Sequence, residues 1–241
     1  MLQGPYNSTT SLLNDNLREE TLIPIKEPYA SLGIQHLQGG GNEEVRGSVF
    51  STTGNDAIVD WIFIELRNKN DNTEVLATRS ALLQRDGDVV DYDGVSPVRF
   101  VNSCPDDYYV VIRHRNHLGV MTANPISLEE EPGNAIDFTN PLLPTWGTNA
   151  QREVNGVRML WSGDTNGDGV VRYNGASNDK NAILFLVGLF TPNDVVDGYY
   201  REDVRMDGSV RYNGANNDKN AILFNVGLFT PNNIITEQLP E

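Results

Sequence analysis

Between residues 45 and 139, apolar and polar positions alternate in short runs. Val45–Thr52, Ala57–Lys69, Val75–Gln84, Val98–Asn102, Tyr108–His114 and Ala135–Thr139 are rich in Val, Ile, Tyr and Phe. Within the second run, Ile62, Ile64 and Leu66 fall on one face of a strand, and Trp61, Phe63 and Glu65 on the other. Turn-forming clusters separate the runs at Gly54-Asn55-Asp56, Asn70-Asp71-Asn72, Asp86-Gly87-Asp88 and Pro105-Asp106-Asp107. Short strands with frequent turns predict a mainly β chain with a small α part. Residues 44–140 are expected to form an antiparallel sandwich of the immunoglobulin-like or transthyretin-like kind.

Outside that stretch the pattern differs. Leu12–Thr21 reads as a short helix, with Asn14-Asp15 offering a cap. Pro24 and Pro28 then force an extended path, and Gly39-Gly40-Gly41 reads as a hinge. Residues 1–43 are therefore expected to be an extended segment packed on the rest, and 141–157 a linker built around Pro141–Gln151.

Residues 158–241 carry an internal repeat. Asp164–Asn193 returns as Asp203–Asn232 at a constant offset of 39, with 24 of 30 positions identical. Each copy holds an apolar run, Ala182–Phe190 and Ala221–Phe229, predicting one helix apiece. Such apolar helices are expected to be nearly buried all round. Leu186 becomes Asn225 in the second copy. The first helix is therefore expected to be the more buried one, held between the second helix and the sandwich.

Composition narrows the function. Of 241 residues, 33 are Asp or Glu and 18 Lys or Arg, a net charge of −15. Such a chain repels phosphate backbones and anionic membrane surfaces, arguing against nucleic-acid binding. The longest apolar run, Ala182–Phe190, is nine residues and is interrupted by Gly188, against ~20 for a membrane-spanning helix. The start, MLQGPYNSTT, has no basic or apolar stretch. Either a signal peptide has been removed or the chain is part of a longer one. The single cysteine, Cys104 beside Pro105, permits no internal disulfide or thiolate zinc site, and reads as a partly buried strand-end residue.

The chemistry-bearing motif opens the repeat. Asp164-Thr-Asn166-Gly-Asp168-Gly169 matches the start of an EF-hand-type calcium loop. Positions one, three and five converge on one cation, a glycine allows the turn, and the carbonyl of Val170 adds an oxygen. Position twelve is Gly175, so Asp179 is expected to close an expanded loop in which Tyr173–Asn178 bulges out. The alternative is an Asx-rich turn before a helix. In the second copy Asp203, Asp207, Ser209 and Asp218 recur, but Arg205 replaces Asn166. Guanidinium cannot ligate a cation. Either calcium binds there with one ligand fewer, or Arg205 itself neutralises the carboxylates.

Two further clusters stand out. Asp86, Asp88, Asp91 and Asp93 form either a weak cation site or a hairpin turn. Arg113, His114, Arg115 and His117 form a basic island that either grips a partner's acidic face or a carboxylate-bearing glycan, or pairs with the chain's own acids. The two histidines lack a third zinc ligand nearby in sequence. Nucleophile elbows, phosphate loops and His-Glu-x-x-His are absent from the sequence.

A calcium loop followed by one helix, twice over, resembles the type I dockerin module across Asp164–Asn232. Dockerins are duplicated calcium-binding segments of secreted bacterial proteins that dock on β-sandwich cohesins. The chain from about Leu2 to Pro240 also resembles a C-terminal region of large bacterial hemagglutinin-like or adhesin-like surface proteins. That likeness is carried by Ile23–Tyr29 (IPIKEPY), Asp60–Arg67 (DWIFIELR), Thr78–Asp91, Arg113–Thr122 and both repeats. It implies an extracellular, cell-surface, non-catalytic adhesion module stabilised by calcium. Its partner would be a protein, a glycan or its own sandwich. The alternatives are a subunit of a surface fibre, with Leu2–Tyr29 reaching a neighbouring copy, and a carbohydrate-active enzyme or carbohydrate-binding module.

Overall fold

A computed structural model describes residues 1–129 and 135–240. The chain is mainly β. It begins with a small hairpin, β1 (Tyr6–Asn7) and β2 (Leu12–Leu13), followed by a single helical turn, α1 (Asn16–Glu19). The helix expected over Leu12–Thr21 is thus cut short, because Leu12 and Leu13 pair with β1. Asp15 occupies the N-cap position, but its carboxylate bonds Arg18 Nε at 2.7 Å and caps no backbone N–H.

The central sheet follows, formed by β3 (Ile58–Asn68), β4 (Asp71–Gln84), β5 (Val89–Val90), β6 (Asp106–His114), β7 (His117–Met121) and β8 (Ile126–Leu128). All pairings are antiparallel, in the order β5-β4-β3-β6-β7, with β8 also on β6. The described strands of this region thus make one sheet. Ten of the eleven residues of β3 are buried, so both of its faces are covered.

The cover comes from irregular chain. On the Phe63 face, Tyr29 stacks at 5.3 Å between ring centroids and His36 at 5.1 Å. Trp61 Nε1 donates to Pro24 O at 2.9 Å, and Tyr29 OH to Trp61 O at 2.8 Å. Pro24 and Pro28 suit this path because an extended segment without its own ladder loses little to a missing N–H. Gly40 is a close-approach residue, since a Cβ there would lie 2.6 Å from Thr78 O. The expected hinge is therefore a packed contact.

Three expected strands are not strands. Residues 47–51 form a 3-10 turn, and 98–102 and 135–139 carry no ladder. Their apolar residues still pack: Val45 is buried, and Val98, Phe100, Ile136 and Phe138 lie on the main core from loops. Alternation reports which side chains are buried, and a loop laid on a sheet meets the same demand.

The 141–157 stretch is stitched down. Trp146 N donates to Met121 O at 2.9 Å and Ala123 N to Pro144 O at 3.0 Å. A hairpin of β9 (Arg152–Val154) and β10 (Val157–Met159) follows.

The repeat region contains β11 (Val170–Arg172), α2 (Asp179–Val187), β12 (Val195–Asp197), β13 (Ser209–Arg211), α3 (Asp218–Val226) and β14 (Ile234–Thr236). The first strand of each copy pairs with the last strand of the other: β11 with β14, and β12 with β13. A second core pairs equivalent residues of the two copies, Val171 with Val210, Ile183 with Ile222, and Val187 with Val226. The cores interlock, because Met206 of copy two sits in the main core and Leu118 of β7 in the repeat core.

Each helix starts at an Asn cap. Asn178 Oδ1 accepts from Asn181 N at 3.2 Å, and Asn217 Oδ1 from Asn220 N at 3.0 Å. The helices are not buried all round. Each stops at a glycine of positive φ, Gly188 or Gly227, and buries one stripe. Phe190 is 97% exposed and Phe229 93%, with Phe185, Leu189, Phe224 and Leu228 also outside. Nor is the first helix the one held by the body. Asn225 of α3 accepts from Arg152 Nη1 at 3.1 Å and from Gln3 Nε2, and donates to Ser162 O at 2.7 Å. The polar substitution is an anchor, not a wetter surface.

Candidate cation-binding loops

Loop one is organised around buried Asp164. Its Oδ1 accepts from Gly167 N at 2.7 Å and Asp168 N at 3.1 Å, and its Oδ2 from Gly169 N at 3.1 Å. Asn166 Oδ1 accepts from Asp168 N at 2.9 Å, and Asp168 Oδ1 from Val170 N at 3.0 Å. Each side chain at positions one, three and five thus holds a turn. Asp179 closes the loop: Thr165 N donates to its Oδ1 at 2.9 Å and Arg172 N to its Oδ2 at 2.6 Å. The Tyr173–Asn178 bulge is ordered by Lys180, which lies 4.2 Å over the Tyr173 ring and bonds Asn174 Oδ1 at 2.8 Å.

Loop two repeats this frame. Asp203 accepts from Asp207 N at 3.1 Å and Gly208 N at 2.8 Å. Asp218 accepts from Val204 N at 2.9 Å and Arg211 N at 2.8 Å. Asp207 Oδ1 accepts from Ser209 N at 3.1 Å. Arg205 Nε lies 3.7 Å from Asp207 Oδ2, and Arg211 Nη1 lies 3.3 Å from Asp207 Oδ1. The second carboxylate of this loop therefore faces two guanidinium groups.

Electrostatics sets these carboxylates apart. Burial pushes Asp179 up to about 7, with the Asp164 charge adding to it, against the backbone N–H bonds that favour the ionised form. Burial pushes Asp218 up to about 8, with Asp203 adding. Asp203 rises to about 6, again through burial, with Arg115 opposing. Each loop thus brings buried carboxylates together whose ionisation is disfavoured without a compensating charge. Among the described residues no group of three or more His, Cys, Asp or Glu stands in metal-holding geometry; the loop carboxylates are engaged with backbone N–H groups.

Sequence reasoning missed Arg172 and Arg211, which sit at the same position of both loops. Arg172 Nη1 is 3.6 Å from Asp168 Oδ2. Both arginines stand in the repeat, which is the signal that could have found them. It also missed Met206, at φ 56° and 1% exposed, whose side chain plugs loop two into the main core.

The other clusters are placed elsewhere. Asp91 pairs with Arg79 at 2.9 Å. Asp93 Oδ1 accepts from Ser96 N at 2.8 Å, and Asp86 Oδ1 from Asp88 N at 3.2 Å. These are turn and ion-pair contacts of separate residues. The basic island points inward. Arg113 bonds Glu65 at 2.6 Å and Glu237 at 2.9 Å. Arg115 bonds Asp60 at 3.0 Å and lies 4.2 Å over the Tyr199 ring. His114 Nε2 is 3.1 Å from Asp60 Oδ2, and its Nδ1 is 2.9 Å from Nδ1 of His117. His114, Arg115 and His117 are all buried, so they have no surface to offer a partner. Burial alone would raise the Asp60 pKa. Arg115, with hydrogen bonds from His114 and Tyr199, outweighs it and brings Asp60 down to about 2. The cluster fastens the sheet to the chain between the two repeats: Asn116 Nδ2 donates to Asp203 O at 2.7 Å and Arg201 O at 2.9 Å. Cys104 is exposed and free.

No known family model, curated protein or solved structure matches the chain.

Proposed function

We infer that the chain is a non-catalytic interaction module whose duplicated loops bind calcium, in the manner of a dockerin-like pair set on a body built around one antiparallel sheet. The observation that carries this is the loop frame. In both copies the first Asp collects backbone N–H groups four and five residues on, and a late Asp returns from the helix start to the same turn. Asp164, Asn166, Asp168, the Val170 carbonyl and Asp179 would hold the ion in copy one. Asp203, Asp207, the Ser209 carbonyl and Asp218 would hold it in copy two. A bound cation would add to the positive charge of Arg201, which already favours ionised Asp164, and would compensate the burial of Asp179.

This reading places the module outside a bacterial cell, at its surface, where millimolar calcium is available. Among the described residues no helix is long and apolar enough to cross a membrane. The fibre alternative rested on Leu2–Tyr29 reaching a neighbour, yet Leu2, Leu13, Leu17, Ile23 and Tyr29 are buried in the chain's own core. The test is thermal unfolding in chelator and in millimolar calcium. Calcium is expected to raise Tm, with magnesium much weaker, and Asp168→Ala to remove most of the rise. Unchanged melting curves would overturn the reading.

A further inference from the structure

Beside the bulge of loop one, a cleft of about 500 Å³ opens between Trp161 and the chain after α3. Its walls combine the Trp161 indole with Ile234 and the carboxamides of Asn149, Asn225, Asn232 and Asn233. None of its lining residues is charged, in a chain that carries 33 acidic and 18 basic residues. Ligand clefts commonly pair an aromatic wall with a few polar groups that set orientation.

The indole is held in place. Its Nε1 donates to Asn149 O at 3.0 Å, and the Arg152 guanidinium lies over one face of the ring, 5.6 Å from its centre, which leaves the rest of the indole to the cleft. Asn225 is committed to Gln3, Arg152 and Ser162, and so forms a fixed floor. Asn232 Oδ1 accepts from Asn174 Nδ2 at 3.0 Å, and its own amide hydrogens are not used in that bond. Among the described residues, the side-chain amides of Asn149 and Asn233 make no hydrogen bond. Each carboxamide offers two donors and an acceptor without charge.

We propose that this cleft binds a neutral saccharide. Adjacent hydroxyl groups donate and accept together, as carboxamides do, and the C–H face of a sugar ring matches an indole wall. The net charge of −15 disfavours acidic sugars. The site belongs to the second copy alone, because copy one has Leu186 and Asp194 where copy two has Asn225 and Asn233. The proposal rests on the interaction-module reading and deepens it by naming a ligand class, but its geometry does not use the loop carboxylates.

The test is an array of neutral and acidic oligosaccharides and of peptides, probed with the full chain, followed by calorimetry with the best neutral oligosaccharide in calcium and in chelator. Binding to a neutral oligosaccharide is expected, weakened at least tenfold by Asn233→Ala, which removes no internal hydrogen bond. Trp161→Phe keeps an aromatic wall and is expected to weaken binding less than Trp161→Ala. Binding only to acidic sugars, only to peptides, or unaffected by Asn233→Ala overturns the proposal. Saccharide binding without any calcium effect on Tm would remove the cation reading and leave this one. A calcium effect without saccharide binding would do the reverse.

Discussion

The two repeats make the same turn and are used differently. In loop one, position three is Asn166, whose amide also ties the bulge through Ser177 O at 2.8 Å, and position four is Gly167. In loop two, position three is Arg205 and position four is Met206, which plugs into the main core. Loop one touches the C-terminal chain, with Glu237 N donating to Gly169 O at 2.8 Å. Loop two meets the N-terminal chain. A Cβ on Gly4 would lie 2.1 Å from Val204 O, so only glycine fits that contact. Duplication supplied two copies of one frame. Of the six differing positions, Met206 and Asn225 tie copy two to the body, where copy one has Gly167 and Leu186. A near-identical sequence therefore does not imply an equivalent site, because the few changed residues decide what each copy touches.

The largest expected effect breaks that asymmetry. Asn225→Leu gives the second helix the residue of the first and strips partners from Gln3, Arg152 and Ser162. Leaving such groups unsatisfied costs about 3 kcal/mol in total, to be read by chemical denaturation of the full chain. A loss below about 1 kcal/mol would show that the anchor does not distinguish the copies.

Calcium comes next. A ligand that binds only the folded state at a hundredfold excess over Kd stabilises by about 2.7 kcal/mol. Asp168→Ala is expected to abolish most of this and Asp207→Ala little, because Asp207 already faces Arg205 and Arg211. Equal losses would make the loops equivalent.

Acid tests the body side of the comparison. Burial holds the pKa of His117 well below 6.5, with His114 and Arg115 adding to it. Its Nε2 has no partner among the described residues. The folded state therefore resists a proton that the unfolded chain accepts. Stability from this group is therefore fully present above about pH 6.5 and is lost progressively as the pH falls below it. His117→Gln is expected to flatten the slope of Tm between pH 7 and pH 5. Hydrogen exchange at pH 5 should rise first at 199–204, where the cluster holds the chain.

The smaller effects sharpen the difference. Arg205→Asn restores the ligand type of loop one and is expected to tighten the second calcium site about tenfold, or about 1.4 kcal/mol, by titration calorimetry. Two equal sites in the wild type would remove the role given to position three. Leu186→Asn, the reverse of the first substitution, is expected to cost under about 1 kcal/mol, since that side chain is only partly buried and meets no polar partner.

Much of the local structure was legible in the sequence. The repeat, the turns from Asp164 and Asp203, one helix in each copy and the turn between β3 and β4 all follow from residues within a few positions of one another. A carboxylate meets N–H groups four and five residues on because the turn brings them there. Only the tertiary structure decided the rest. The exchange of strands between copies pairs Val170 with Thr236 and Val195 with Arg211. Val98, Phe100, Ile136 and Phe138 cover the sheet as loops rather than strands, and the basic island turns inward to Asp60, Glu65 and Glu237. Periodicity records that a side chain is buried, and composition records how many charges there are to place. Neither names the partner when it lies a hundred residues away, because that choice is made by the docking of whole segments.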